Sequence, residues 1–113
     1  MGRGGFRWNK LRQMVYDVYG PVCWICEHGI PGGVRGGEVD HVITVCEQPE
    51  LRFVLSNLRP IHGRHRCPVC GHRCNQVRAA RPVEYARRRV KTPAPGFKGS
   101  PLVEKPQAPG REW

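Results

Sequence analysis

The sequence predicts a small zinc-stapled α+β domain, and three observations lead there. Two C-x-x-C motifs, at Cys23/Cys26 and Cys67/Cys70, stand forty residues apart. Apolar residues recur at helical spacing near the N-terminus, and β-branched runs occupy the middle of the chain. With three Trp, three Tyr and three Phe in 113 residues, one small core can form, and a core of that size usually needs a staple.

Nineteen Lys and Arg against nine Asp and Glu give a net charge of +10. Fifteen of those cations are Arg, whose planar guanidinium suits bidentate phosphate contacts. A surface of this charge points to a polyanion, with nucleic acid the leading candidate. No apolar secretory leader and no run long enough to span a membrane are seen, so a cytoplasmic location without membrane association is expected. MGRGGF has Phe6 where a myristoylation signal needs Ser or Thr. In a reducing compartment the paired cysteines read as zinc ligands before disulfides.

Met1 to Arg7 is a Gly- and Arg-rich arm. Trp8, Leu11, Met14, Val15, Val18 and Tyr19 mark a helix with Asn9 as N-cap and Gly20-Pro21 as its stop. Cys23 and Cys26 follow on a tight turn that brings two thiolates to one tetrahedral ion, with His28 read as a surface residue. Pro31 to Gly37 is a loop. Glu38 to Cys46 is β-rich, Pro49 breaks it, and Leu51 to Leu55 is expected to pair back as a hairpin. Cys46 is expected to be small and buried.

After Ser56-Asn57-Leu58-Arg59-Pro60 comes a basic stretch, then the second knuckle at Cys67 to Gly71. A helix is expected over His72 to Arg81 and another over Val83 to Val90, after Pro82. The structural zinc set is Cys23, Cys26, Cys67 and Cys70, with His62 and Cys74 as rivals for the second pair. Residues 8–90 form the folded domain. Residues 91–113 hold five Pro and three Gly and are expected to be a disordered tail.

The chemistry centres on Asp40-His41, Asn57 and the Cys/His/Asn cluster that ends at Asn75. Asp40 is a hard oxygen ligand suited to Mg²⁺ or Mn²⁺, and His41 can accept a proton from water near neutral pH. Adjacent strand residues face opposite ways, so a bulge or a strand end is needed to bring both to one site. Each residue also has an ordinary structural use: Asp40 in an ion pair, His41 as a half-buried imidazole, Asn57 in a turn.

The order DH (Asp40-His41), NLRP (Asn57 to Pro60) and CN (Cys74-Asn75), with the C-x-x-C pairs, resembles the HNH endonucleases, in particular small phage-type members. The resemblance covers about Trp8 to Arg81. It implies a ββα-metal core, a hairpin and one helix around a single catalytic divalent ion. By that similarity Asp40 binds the ion, His41 is the general base and Asn57 holds the loop that orients it. Relatives often read N-L-R-P-x-H-x-x-C-N, whereas here an insertion separates NLRPIH from HRCN. Asn75 best matches the helix ligand, and His72 is the alternative.

The resulting expectation is a metal-dependent DNA endonuclease with structural zinc, whose phage-like pattern implies work with phage packaging proteins or as a free-standing mobile enzyme. Phosphate contacts are expected from Arg73, Arg78, Arg81, Arg87, Arg88 and Arg89. A non-catalytic zinc-knuckle module that binds nucleic acid is the chief alternative, and a zinc-stapled adaptor is a third.

Overall fold

A computed structural model describes residues 5–97. In chain order they form helix α1 (Gly5–Tyr19), strand β1 (Glu38–His41), strand β2 (Leu58–Ile61), and helices α2 (Cys74–Arg78) and α3 (Val83–Arg89), joined by loops that contain three short 3-10 turns. No helix among the described residues is long and apolar enough to cross a membrane.

Helix α1 starts at Gly5, so Asn9 lies inside it and does not cap it. The extra turn is held by Trp8, whose ring meets Phe53 edge-on at 5.7 Å between centroids. The helix buries Val15 and Tyr16. It stops at Gly20, which takes a φ of 82° that a side chain would resist and donates its N–H to the Tyr16 carbonyl at 2.9 Å. The Tyr16 hydroxyl donates to the Glu38 carbonyl at 2.8 Å and so ties α1 to the start of β1. Gly37 permits this approach, since a Cβ there would collide with the Tyr16 hydroxyl and the Ile30 side chain.

The hairpin differs from the expected one. β1 ends at His41, and its antiparallel partner is Leu58–Ile61, with Glu38 opposite Ile61, Asp40 opposite Arg59 and His41 opposite Leu58. Leu51 to Leu55 forms no strand. Pro49 opens a 3-10 turn there, and Phe53 stays 59% exposed. In contrast, Leu58 and Ile61 are fully buried. Burying that pair against α1 and the first knuckle outweighs the β propensity of the Leu51 run. Pro60 has no N–H to give, but its carbonyl accepts from Trp24 N at 3.0 Å, which docks the first knuckle on the free edge of β2. Cys46 is exposed, not buried as expected, because the chain has already left the strand for a turn held by Thr44 and Glu47.

Helix α2 is shorter than the expected His72–Arg81. At its start the His72 carbonyl is already used by Cys67 N, at 3.0 Å, inside the second knuckle. At its end Ala79 turns to a φ of 44°. Helix α3 begins after Pro82 as expected and buries Ala86. The first residues of the expected tail are ordered against the protein: Ala94 N donates to the Cys70 carbonyl at 2.8 Å, and Phe97 lies against Gly71. The rest of that segment, residues 98–113, lies outside the described residues.

Candidate metal centre and hairpin site

The two C-x-x-C motifs fold into matching knuckles. Cys23 N donates to the His28 carbonyl at 2.9 Å and Glu27 N to the Cys23 carbonyl at 2.9 Å. The second knuckle repeats this, with Cys67 N to the His72 carbonyl at 3.0 Å and Gly71 N to the Cys67 carbonyl at 2.8 Å. Both turns need a left-handed residue at the same place, Glu27 at φ 66° and Gly71 at φ 76°. Backbone amides aim at the first sulfur of each, Ile25 N at Cys23 Sγ (3.4 Å), and Val69 N and Cys70 N at Cys67 Sγ (3.2 and 3.3 Å). Such amides stabilise thiolate charge.

The knuckles converge on two clusters of metal-ligating atoms, one of Cys23, Cys26, His62 and Cys74 and one of Cys26, His28, Cys67 and Cys70; within each, all ligand atoms lie within 4.8 Å of one another. The expected set of Cys23, Cys26, Cys67 and Cys70 is therefore divided between two sites. His62 and Cys74 complete the first. His62 directly follows β2, and Cys74 opens α2, so this cluster sits at the strand-to-helix junction. His28, expected on the surface, instead joins the second, with Nδ1 3.5 Å from Cys67 Sγ. The signal available in the sequence was the shared C-x-x-C-x-H repeat, which puts a histidine after each pair. His72 holds the matching place in the second knuckle but turns outward, with Nε2 2.7 Å from the Thr92 carbonyl.

Tautomers and charges suit cation binding. His62 Nε2 donates to the Gly29 carbonyl at 2.8 Å, which leaves Nδ1 facing Cys26 Sγ (3.4 Å) and Cys74 Sγ (3.8 Å). A carbonyl on the far nitrogen is the usual device for orienting a ligating imidazole. Burial opposes ionisation of Cys23, but hydrogen bonds from Cys26, Cys74 and His62 outweigh it and hold this thiol well below its usual range. Hydrogen bonding to Cys26 does the same for Cys70. Cys26 is pushed up, first by its hydrogen bond to Cys23, and Cys74 likewise. Five thiols this close share too little positive charge to ionise together, and a bound dication removes that limit.

Beside the metal clusters, β1 and α2 meet along a polar seam. Glu38 and Asp40 share one face of β1, and Asn75 and Arg78, three apart on α2, face them. Asn75 Nδ2 donates to Glu38 Oε1 at 2.7 Å. Arg78 Nη1 donates to Asp40 Oδ2 at 2.8 Å, forming a buried ion pair. Trp24 Nε1 donates to the same oxygen at 3.1 Å. Arg78 also reaches the His41 and Val42 carbonyls, at 2.6 and 3.2 Å. It is only 4% exposed, so this arginine, expected on the phosphate-facing surface, is spent inside the protein.

His41, at the end of β1, turns to the loop that links the strands. Its Nε2 is 3.0 Å from the Arg52 carbonyl, which assigns the proton to Nε2 and leaves Nδ1 as an acceptor. Asn57 clasps the same loop. Its Oδ1 accepts from Ile43 N at 2.8 Å, and its Nδ2 donates to the Ile43 and Leu51 carbonyls at 3.1 and 3.2 Å. The structure thus links Asp40 to Arg78 and Trp24, His41 and Asn57 to one loop, and Asn75 to Glu38. It directs His72 toward Thr92.

Of the remaining arginines, Arg81, Arg88 and Arg89 are exposed, and Arg73 is half-buried with Nε on the Arg64 carbonyl at 3.2 Å. Arg87 spans Trp24, donating twice to its carbonyl at 2.9 and 3.2 Å. Arg64, His65 and Arg66 add an exposed basic turn between β2 and the second knuckle.

Comparison of the chain with protein-family models, with curated proteins and with solved structures returns no match. What stands is an α+β domain, a two-stranded hairpin with helices, carrying two Cys/His clusters able to hold metal, one of them at its strand-to-helix junction.

Proposed function

We propose that this protein is a metal-dependent endonuclease of the HNH type that hydrolyses phosphodiester bonds in double-stranded DNA, with structural zinc on the Cys23/Cys26/His62/Cys74 cluster. The observation that carries the reading is the pairing of His41 with the loop that Asn57 clasps. A carbonyl fixes the His41 tautomer with its basic nitrogen free, and Asn57 fixes the loop that supplies that carbonyl. This is the arrangement a positioned general base requires.

Asp40 and Asn75 are the residues that would hold a catalytic divalent ion. Asp40 Oδ1 takes no part in the bonds from Arg78 and Trp24, and Asn75 keeps its amide oxygen because Nδ2 is the atom given to Glu38. An all-oxygen donor set suits Mg²⁺ or Mn²⁺, which would stabilise charge on the phosphate and the leaving oxygen. In this reading His41 Nδ1 accepts the proton of the attacking water, and Nε2 stays on the Arg52 carbonyl. Arg64, Arg66, Arg81, Arg88 and Arg89 hold the phosphate backbone. The phage-like order of the motifs supports work on a phage genome, in packaging or as a free-standing mobile enzyme.

A second reading has its own support. The Asp40–Arg78 ion pair occupies one oxygen of the carboxylate that would bind the ion, as it would in a module that binds nucleic acid without cutting it. A plasmid-nicking assay with Mg²⁺ or Mn²⁺ separates the two. Metal-dependent nicking is the expected result, and salt-sensitive DNA binding with no cleavage would select the binding module.

A further inference from the structure

We propose that the protein holds two metal ions in one thiolate-bridged cluster, in which Cys26 Sγ is shared between an ion on Cys23, His62 and Cys74 and an ion on His28, Cys67 and Cys70. The first ion is the zinc of the reading above, and the second goes beyond it. Cys26 is the one residue common to both clusters, and together they comprise five cysteines and two histidines. Two four-coordinate ions that share one ligand need seven donors, and the clusters supply seven.

The separations fit tetrahedral coordination. Zinc–sulfur and zinc–nitrogen bonds of about 2.3 and 2.05 Å put a sulfur and a nitrogen on one ion about 3.6 Å apart. The protein places Cys26 Sγ 3.4 Å and Cys74 Sγ 3.8 Å from His62 Nδ1, and Cys67 Sγ 3.5 Å from His28 Nδ1. The charge also fits. Five thiolates against two dications leave the cluster at −1, whereas one ion would leave several of these sulfurs protonated or highly charged. Filling both sites displaces whatever thiol protons remain to solvent.

The fold gives each ion its own work. The first joins the Cys23 knuckle to the end of β2 and the start of α2. The second joins that knuckle to the insertion that carries Cys67 and Cys70. An entry route exists for the second ion, through a cleft of about 560 Å³ lined by Cys26, His28 and Cys70 with Arg87 and Lys91 beside them. Its mixed thiolate and imidazole donors select zinc or cadmium over magnesium.

The test uses the full chain purified under reducing conditions without chelator. Native mass spectrometry and elemental analysis should find two zinc ions per chain. After exchange with ¹¹³Cd²⁺, NMR should show two cadmium resonances that split each other through the shared Cys26 sulfur. The double variant Cys67→Ser/Cys70→Ser should keep one ion and the circular dichroism of a folded protein while losing the splitting. One ion per chain, with Cys67 and Cys70 free or joined in a disulfide, would overturn the proposal but leave the single structural zinc in place. Two cadmium resonances without mutual splitting would overturn the bridge. No bound ion at all would remove both the cluster and the zinc of the nuclease reading.

Discussion

Trp24 Nε1 donates to Asp40 Oδ2 at 3.1 Å, so a residue held between the two cysteines of the first knuckle positions the carboxylate of the hairpin seam. The guanidinium groups of Arg59, Arg78 and Arg87 surround the same indole at 5.9, 5.5 and 5.4 Å from its ring. Arg78 then completes a triangle by pairing with Asp40. Metal binding and the geometry of the candidate active site are therefore mechanically joined through one tryptophan. Loss of the first ion should disturb Asp40 as well as the core.

Arg78→Ala should be among the most damaging single changes in the protein. It leaves the Asp40 carboxylate buried with only the indole N–H as partner, and breaking a buried pair from one side costs about 3–5 kcal/mol. Arg78→Lys should recover little, because one ammonium cannot reach Asp40 and the His41 and Val42 carbonyls together. Paired removal, Asp40→Asn with Arg78→Met, should restore much of the stability. Urea denaturation of the four proteins gives the comparison, and a near-neutral Arg78→Ala would show that the pair carries no such weight.

Much of this was legible in the sequence, and the misses share a cause. Local signals sufficed for α1, α3 and both knuckles, since periodicity, Pro82 and the C-x-x-C spacing act within a few residues. The choice of Leu58–Ile61 over Leu51–Leu55 as the second strand was hidden. It depends on which apolar pair α1 and Trp24 can cover, and in isolation the Leu51 run, with Phe53 and Val54, is a better strand former than a run that contains Pro60. The Asp40–Arg78 pair spans 38 positions, and nothing near either residue announces it. The division of the cysteines into two clusters depends on how two knuckles pack together. Only the histidine after Cys26, in the C-x-x-C-x-H repeat, hinted that the first knuckle brings more than two donors.

Asn57→Ala should loosen the loop without disturbing the metal. It removes an acceptor from Ile43 N and a donor from two carbonyls, and partly buried groups left unpaired cost on the order of 2 kcal/mol. Asn57→Asp should be worse, because its carboxylate would face the Ile43 and Leu51 carbonyl oxygens. Cleavage should fall in both, since the Arg52 carbonyl that orients His41 belongs to that loop. Bound zinc should stay at the wild-type ratio. Hydrogen exchange over residues 42–57 reports the loosening directly.

The matching knuckles give an internal control. Glu27 holds, with a side chain, the left-handed backbone that Gly71 holds without one. Glu27→Gly should therefore stabilise the metal-bound protein by about 1 kcal/mol. Gly71→Ala should do the reverse and by more, because its Cβ would also run into the Phe97 ring. Thermal melts at fixed zinc concentration measure both. A destabilised Glu27→Gly would mean that the glutamate side chain has a use that its backbone strain conceals.

The decisive chemical prediction concerns His41. His41→Ala should lower the rate of DNA cleavage by a factor of about 10² to 10⁴, the usual effect of losing a general base. Zinc content and DNA affinity should remain near wild type, because in the proposed reading the knuckles hold the fold and the arginines the phosphates. Asp40→Asn should also lose activity, but through weaker binding of the catalytic ion, so that raising Mg²⁺ or Mn²⁺ restores part of it. Asparagine is preferred to alanine here because it still accepts from Arg78 and Trp24. Excess metal should do nothing for His41→Ala, since the missing function is proton acceptance at Nδ1. His41→Gln sharpens the distinction: it can donate to the Arg52 carbonyl and hold the loop, yet it has no basic nitrogen. If His41→Gln or His41→Ala cuts at the wild-type rate, His41 serves only to pin the loop, and the endonuclease assignment loses its base.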